Sequence, residues 1–292
     1  MDCFLDLLYD ILNYEVIFMP TLTFVELIKY ILLGLIQGIT EPLPISSSGH
    51  VIIFQNIFGL VLPDEINFTI WVNFGSFIAI VLFYRLFLKD LIVGSWRYVF
   101  CHDASHKKDF FYVLFVVIAT IPAGIVGLFL KDTIDTHLST LLTVAICEVI
   151  TGLLLLFISY FSKRTTKPEV DLKTSILMGV AQIVGLLPGI SRSGSTTSIA
   201  VANKVDLTKA LRFSFMMYLP ISLASMVLGI IELDVSNTYW AGYIGAFIMS
   251  ILGTYVALKV FFHLVKKDNL KYFGYYCLAV GILVLLYIGV FQ

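Results

Sequence analysis

Two clusters of polar side chains interrupt an otherwise apolar chain. The first places Glu41, Ser46, Ser47, Ser48 and His50 around Pro42 and Pro44; the second places Ser191, Arg192, Ser193, Thr196 and Thr197 behind Pro188-Gly189. Pro188-Gly189 stops one helix and Ser191 opens the next, so free backbone N–H groups and a positive helix end are expected to face an anion there. Ser191, Ser193 and Thr196 add hydroxyl donors, and Arg192 adds a planar fork suited to two phosphate oxygens. Capping accounts for one or two of these hydroxyls, not for the whole set with an arginine. An arginine this deep in an apolar chain also needs an anionic partner. In the first cluster, a serine hydroxyl becomes a nucleophile when a base takes its proton, and His50 or Glu41 can be that base. Glu41 can alternatively hold a divalent cation, Mg²⁺ or Ca²⁺, that offsets phosphate charge.

The two clusters are copies of one motif. Gly34 to His50 reads GLIQGITEPLPISSSGH, and 145 positions later Gly179 to Ser195 reads GVAQIVGLLPGISRSGS, without a gap. Gln37 falls on Gln182, Ser46 on Ser191 and Gly49 on Gly194, while Ser47 faces Arg192. Gln37 and Gln182 stand just before each break, where they support exposed backbone or reach the ligand. Interrupted apolar segments at matching places in two halves of a membrane chain point to a binding site between them.

Holding two such breaks together takes a membrane scaffold. Of 292 residues, 59% are hydrophobic and 13% charged, outside the range of a soluble domain. Six stretches (67–84, 110–130, 138–161, 212–231, 239–263 and 272–291) reach the roughly 20 apolar residues that a span takes. Basic residues gather in the connections around 85–108, 163–173, 204–212 and 266–271, whereas the opposing connections carry mainly Asp64, Glu65, Asp132, Asp135, Glu232 and Asp234. By the positive-inside rule the basic set is cytoplasmic and both termini lie outside. Basic connections on both sides of the second motif make it a re-entrant hairpin; the first motif then enters from the opposite face. The expected fold is an all-α polytopic integral membrane protein, an inverted-topology repeat with two re-entrant helical hairpins and six transmembrane helices. It forms one membrane domain over 1–292: an N-terminal extension at 1–21, a first repeat at 22–163 with its motif at 34–50, and a second at 172–292 with its motif at 179–198.

Other features narrow the function. Cys3, Cys101, Cys147 and Cys277 are scattered, which fits neither a disulfide framework nor a structural zinc site. Cys101, His102 and His106 lack a fourth ligand for zinc. The first 20 residues carry Asp2, Asp6, Asp10 and Glu15 without a basic lead, so they fit an amphipathic surface helix, or a start at Met19, rather than a signal peptide. The expected partners are a lipid substrate and membrane lipids. No nucleic acid is expected, and long apolar faces permit a homodimer.

The chain resembles the undecaprenyl pyrophosphate phosphatases of the bacitracin-resistance type. The resemblance is carried by the first motif and by LLPGISRSGSTTS, and continues through VNFGSFIAIVLFYR (72–85), ATIPAGIVGLFLKD (119–132) and ALRFSFMMYLPIS (210–222). It implies hydrolysis of a C55 polyprenyl diphosphate to the monophosphate, which recycles the lipid carrier of surface polymers. It assigns phosphate binding to Arg192 with Ser191, Ser193 and Thr196, and first-motif functions to Gln37, Glu41, Ser46, Ser47 and His50. Many members carry glutamate where this chain has Gln37, so Glu41 inherits more of the burden here.

The expected mechanism has Ser47 attacking the terminal phosphoryl group with help from His50 or Glu41, followed by release of phosphate by water. Attack by His50 or directly by water stays open. The competing class is a transporter or flippase of a phosphorylated polyprenyl lipid, which shares the architecture but needs neither nucleophile nor base.

Overall fold

The computed structural model describes residues 22–62, 65–162, 166–167, 169–232, 239–265 and 269–291. The N-terminal extension lies outside these residues, as do several charges used to orient the chain, among them Lys163, Arg164, Lys266, Lys267, Asp64 and Asp234. The described chain is almost entirely helical, its one β-type pairing being an isolated bridge between Lys167 and Val205.

Each copy of the motif folds as a broken pair of helices. Helix α1 (Phe24–Thr40) starts on a capping box, in which the Thr23 hydroxyl accepts from the Glu26 N–H and the Glu26 carboxylate accepts from the Thr23 N–H. It stops where Pro42 and Pro44 follow, and α2 (Ser47–Phe58) begins after the break. The second copy gives α7 (Leu172–Val184), capped by Asp171, and α8 (Arg192–Ala202) beyond Pro188-Gly189. With 12, 13 and 11 residues, α2, α7 and α8 fall short of a span, and the 17 of α1 only reach its lower limit.

The remaining helices surround these pairs: α3 (Glu65–Phe83), α4 (Arg85–Phe100), α5 (Lys107–Thr133), α6 (Leu141–Phe161), α9 (Leu207–Glu232), α10 (Trp240–Val265) and α11 (Leu270–Phe291). Among the described residues, five helical stretches are long and apolar enough to cross a membrane: Ala104–Leu130, Leu141–Phe161, Leu207–Ile231, Trp240–Val265 and Leu270–Phe291. The sixth expected span corresponds to α3, whose apolar part Asn67–Phe83 is slightly shorter. The basic connection after it is not a loop over most of its length, because α4 runs through it. Leu91 and Gly94 are buried there, while Arg85, Lys89 and Asp90 are exposed together with Leu86, Ile92 and Trp96. Among the described residues, the second half has no equivalent of α4.

The halves interlock through glycine. Gly34 on α1 leaves no room for a side chain against the backbone of Ala246 on α10, and its counterpart Gly179 on α7 sits in the same way against Ala119 on α5. Each broken pair therefore packs on a long helix of the other half. The last helices of the halves, α6 and α11, meet where a Cβ on Gly152 would come 2.8 Å from the Gly274 carbonyl. Close backbone approach at small residues is how apolar helices associate in lipid. Outward faces stay apolar, with Phe129 on α5 and Leu283 on α11 exposed.

Candidate active site

The breaks bring two helix N-termini together through one duplicated device. Ser46 caps α2 by accepting from the Gly49 N–H, and Ser191 caps α8 by accepting from the Gly194 N–H at 3.0 Å. The caps are not identical. Ser46 holds a left-handed backbone with φ of 64°, which few non-glycine residues adopt. Its hydroxyl also accepts the Gly189 N–H from the other tip at 3.0 Å, so one serine ties the breaks together.

One position into each helix the copies diverge, and the two divergent residues converge on one carboxylate. Ser47 donates from Oγ to Oε2 of Glu41 at 2.5 Å, and Arg192 donates from Nη2 to Oε1 at 2.5 Å. Glu41 is almost fully buried and Arg192 is 23% exposed. Gln37 donates to Glu41 Oε2 at 2.8 Å and to Asn73 Oδ1 at 2.6 Å. The Arg192 guanidinium lies 4.1 Å from the centroid of the Tyr218 ring, and the Tyr218 hydroxyl donates to the Asn73 carbonyl at 2.7 Å. These side chains line a cavity of about 220 Å³ with Ser46, Ser48, Gln182, Ser191 and Ser193.

Two expected site residues stand apart from that cavity. Thr196 is buried, donating to the Arg192 carbonyl and sharing a hydrogen bond with Ser214 at 2.7 Å, so it stiffens the first turn of α8. His50 is buried behind the first tip. Its Nδ1 lies 2.8 Å from the Ser46 carbonyl and 3.3 Å from Glu148 Oε1, and its Nε2 lies 2.8 Å from the Tyr276 hydroxyl. A carbonyl only accepts, so Nδ1 carries the proton and braces the Ser46 turn.

Residues that the sequence reading passed over complete the support. Thr151 on α6 donates to the Gly189 carbonyl at 2.8 Å and accepts the Ser191 N–H at 3.0 Å, which pins the second break on both sides of Ile190. Glu148 lies one turn earlier on the same helix and faces the first tip. A glutamate within the apolar stretch 138–161 was a legible signal, because a charge there demands a partner. Asn73 and Tyr218 lie in stretches that carried the family resemblance, and they stand the same 145 positions apart as the motifs.

Glu41 is the one carboxylate among the described residues lining the cavity, and no group of three or more His, Cys, Asp or Glu converges among those residues. Such a donor set does not make a protein cage for a cation. It suits an ion that takes most of its ligands from phosphate oxygens and water, as Mg²⁺ does.

The fold and the site define a polytopic membrane protein whose paired broken helices enclose a cavity lined by Arg192, Glu41 and Ser47. The chain belongs to the BacA family: residues 30–283 match the family described as Bacitracin resistance protein BacA. Undecaprenyl-diphosphatase 2 of Bacillus thuringiensis (strain Al Hakam) is 40% identical over 268 residues, 91% of this chain and 99% of that protein. Undecaprenyl-diphosphatase of Oceanobacillus iheyensis is 39% identical, covering 91% of this chain and 98% of its own. Undecaprenyl-diphosphatase 1 of Halalkalibacterium halodurans is 41% identical, covering 89% and 95%.

Proposed function

We infer that this chain hydrolyses undecaprenyl diphosphate to undecaprenyl phosphate and inorganic phosphate, recycling the lipid carrier used for cell-envelope polymers. The observation that carries the reading is the convergence of Ser47 and Arg192 on Glu41 inside the cavity. The terminal phosphoryl group takes the place of Glu41 on Arg192, which fits two of its oxygens, and the N–H groups opening α8 face it. Glu41, relieved of the arginine, accepts the Ser47 proton. Ser47 Oγ attacks the terminal phosphorus, and the bond to the bridging oxygen breaks with its electron pair leaving on undecaprenyl phosphate, which takes the proton from Glu41. Water then releases phosphate from Ser47. Phosphoryl transfer depends mainly on placement and charge stabilisation, which this arrangement supplies.

The geometry favours Glu41 over His50 as the base, because both His50 nitrogens are engaged away from the cavity. Ser46, Ser191 and Ser193 serve the phosphate through their hydroxyls or the turns they cap, and Thr196 supports Arg192 from below. A divalent cation, Mg²⁺ or Ca²⁺, belongs to the proposal: Glu41 would hold it together with the diphosphate, and it would neutralise developing charge. The hairpins are re-entrant and oppositely inserted, with the basic connections cytoplasmic and the protein in the cell membrane. The apolar outer faces leave room for a homodimer.

A carrier of phosphorylated lipid could use the same broken helices but has no need of a hydroxyl held on a carboxylate. The deciding experiment is phosphate release from C55 diphosphate in detergent by wild type, Ser47→Ala and Arg192→Ala. Release by wild type and its loss in both folded variants supports the phosphatase. No release by folded wild type, with Mg²⁺ or Ca²⁺ supplied, overturns it in favour of the carrier.

A further inference from the structure

Gln37 and Gln182 occupy the same position in the duplicated motif, yet their side chains meet opposite circumstances. The Gln37 amide nitrogen donates to both Glu41 and Asn73. The residues 145 positions beyond those partners are Leu186 and Tyr218. Leucine offers no hydrogen bond, and the Tyr218 hydroxyl is spent on the Asn73 carbonyl. Gln182 is accordingly 1% exposed, lines the cavity, and has neither amide atom hydrogen-bonded among the described residues. It stands one turn before Gly185, whose Cα faces the Arg192 backbone so closely that a Cβ would come 2.7 Å from the Arg192 Cα. A buried amide left with a free donor and a free acceptor is costly unless a ligand uses both.

We propose that Gln182 is a catalytic residue that orients the hydrolytic water against the phosphoryl group held by Arg192. The inference rests on the phosphatase reading above. The ionised oxygens of a phosphoryl group only accept, so such a group alone would satisfy the amide N–H₂ and leave Oε1 without a partner. Water donates, so a water and a phosphoryl oxygen side by side satisfy both ends of one amide. A glutamine orienting an attacking water is a known solution in phosphoryl transfer. In the step served, the water oxygen bonds to phosphorus, the bond to Ser47 Oγ breaks, and its electron pair stays on Oγ. One water proton ends on Oγ and the other remains on the released phosphate, so Gln182 itself gains and loses none.

The test measures turnover of C55 diphosphate by the full chain in detergent, comparing wild type, Gln182→Met and Gln182→Glu, with methanol present as a competing acceptor. Methanol attacking in place of water yields methyl phosphate. Gln182→Met removes an unsatisfied amide at similar volume, so it is expected to fold at least as well as wild type. Its kcat should fall about 10²-fold, as for other lost transition-state contacts. KM should stay near the wild-type value, and the ratio of methyl phosphate to inorganic phosphate should rise. Unchanged kcat overturns the proposal, and so does a fall in kcat with an unchanged product ratio, which marks a merely structural role. If Gln182→Met does not fold, Gln182→Glu decides: its charge repels the phosphoryl group, so kcat should fall, and wild-type turnover overturns the proposal. A wild type that releases neither product sinks the phosphatase reading itself, and a fall confined to the variants cannot be mistaken for that.

Discussion

Arg192 and Glu41, 151 positions apart, form an ion pair that joins the two broken helices across the cavity. The pair balances a charge on each tip, and each partner has further contacts: Glu41 with Ser47 and Gln37, and Arg192 with the Tyr218 ring. Removing one partner leaves the other unpaired in an apolar setting. Arg192→Met should therefore abolish turnover and lower stability by about 2–3 kcal/mol, below the 3–5 of a fully buried pair because Arg192 is 23% exposed. The double variant Arg192→Met/Glu41→Gln should recover part of that stability and none of the turnover. Thermal unfolding in detergent checks this, and additive losses would count against the pair.

The placement of His50 separates a bracing role from a basic one. Its Nε2 meets only the Tyr276 hydroxyl among the hydrogen bonds described, while Nδ1 holds the Ser46 turn. Tyr276→Phe should cost about 0.5–1.5 kcal/mol of stability and change kcat by less than about threefold. His50→Ala should damage both stability and turnover, because the Ser46 conformation loses its brace. A tenfold or greater loss of kcat in Tyr276→Phe would put the imidazole back into the chemistry.

The duplicated motif makes the paired breaks legible in the sequence, since Pro, Gly and hydroxyl residues interrupt apolar runs at matching places. Ser47 facing Arg192 in that register marked where function entered. What stayed hidden depended on geometry across the halves. Nothing in the motif says that His50 turns its nitrogens toward Ser46 and Tyr276, or that Glu41 is shared by both divergent residues. Thr151 carries no local signal, because a single threonine in an apolar helix most often bonds its own backbone. Helix α4 is masked in the sequence by the basic residues of a connection, although Leu91 and Gly94 lie on one helical face.

Thr151 should act through the second break. Thr151→Val keeps the shape but leaves the Gly189 carbonyl and Ser191 N–H unpaired, an expected loss of about 1–3 kcal/mol with a fall in kcat. Thr151→Ser restores the hydroxyl and should recover turnover. If serine does not rescue, the methyl packing matters and the hydrogen bonds do not.

The interlocked glycines predict equal sensitivity at sites far apart in sequence. Gly34→Val and Gly179→Val each drive a side chain into backbone, of Ala246 and Ala119 respectively, which flexible neighbours cannot relieve. Each should lose at least the ~1–3 kcal/mol typical of overpacking. Gly124→Ala is the control on α5: a Cβ there meets nothing within 4 Å, so it should be neutral or add about 0.4–1 kcal/mol. Equal behaviour of all three variants in thermal unfolding would refute the close-packing account.

Asp171 gives the second hairpin a pH dependence outside the membrane core. It caps α7 by accepting from the Thr174 N–H at 2.8 Å, and Lys167 donates to it at 3.0 Å. The hydrogen bonds from Thr174, followed by that of Lys167, lower its carboxyl from 3.8 to about 2. Because the folded value is the depressed one, ionised Asp171 stabilises the fold above the ordinary value of 3.8. That contribution fades as pH falls through 3.8 and is gone below about 2. Asp171→Asn keeps a capping oxygen but not the charge, so it should lack this acid dependence and lose, at neutral pH, the part of the stability that the charge supplies. Asp171→Ala should lose about 0.5–2 kcal/mol at neutral pH, and that loss should shrink as the solution is acidified toward pH 2. Unfolding midpoints of the three proteins across that range decide it: a wild type that tracks Asp171→Asn throughout would show that the carboxylate charge contributes nothing to the cap.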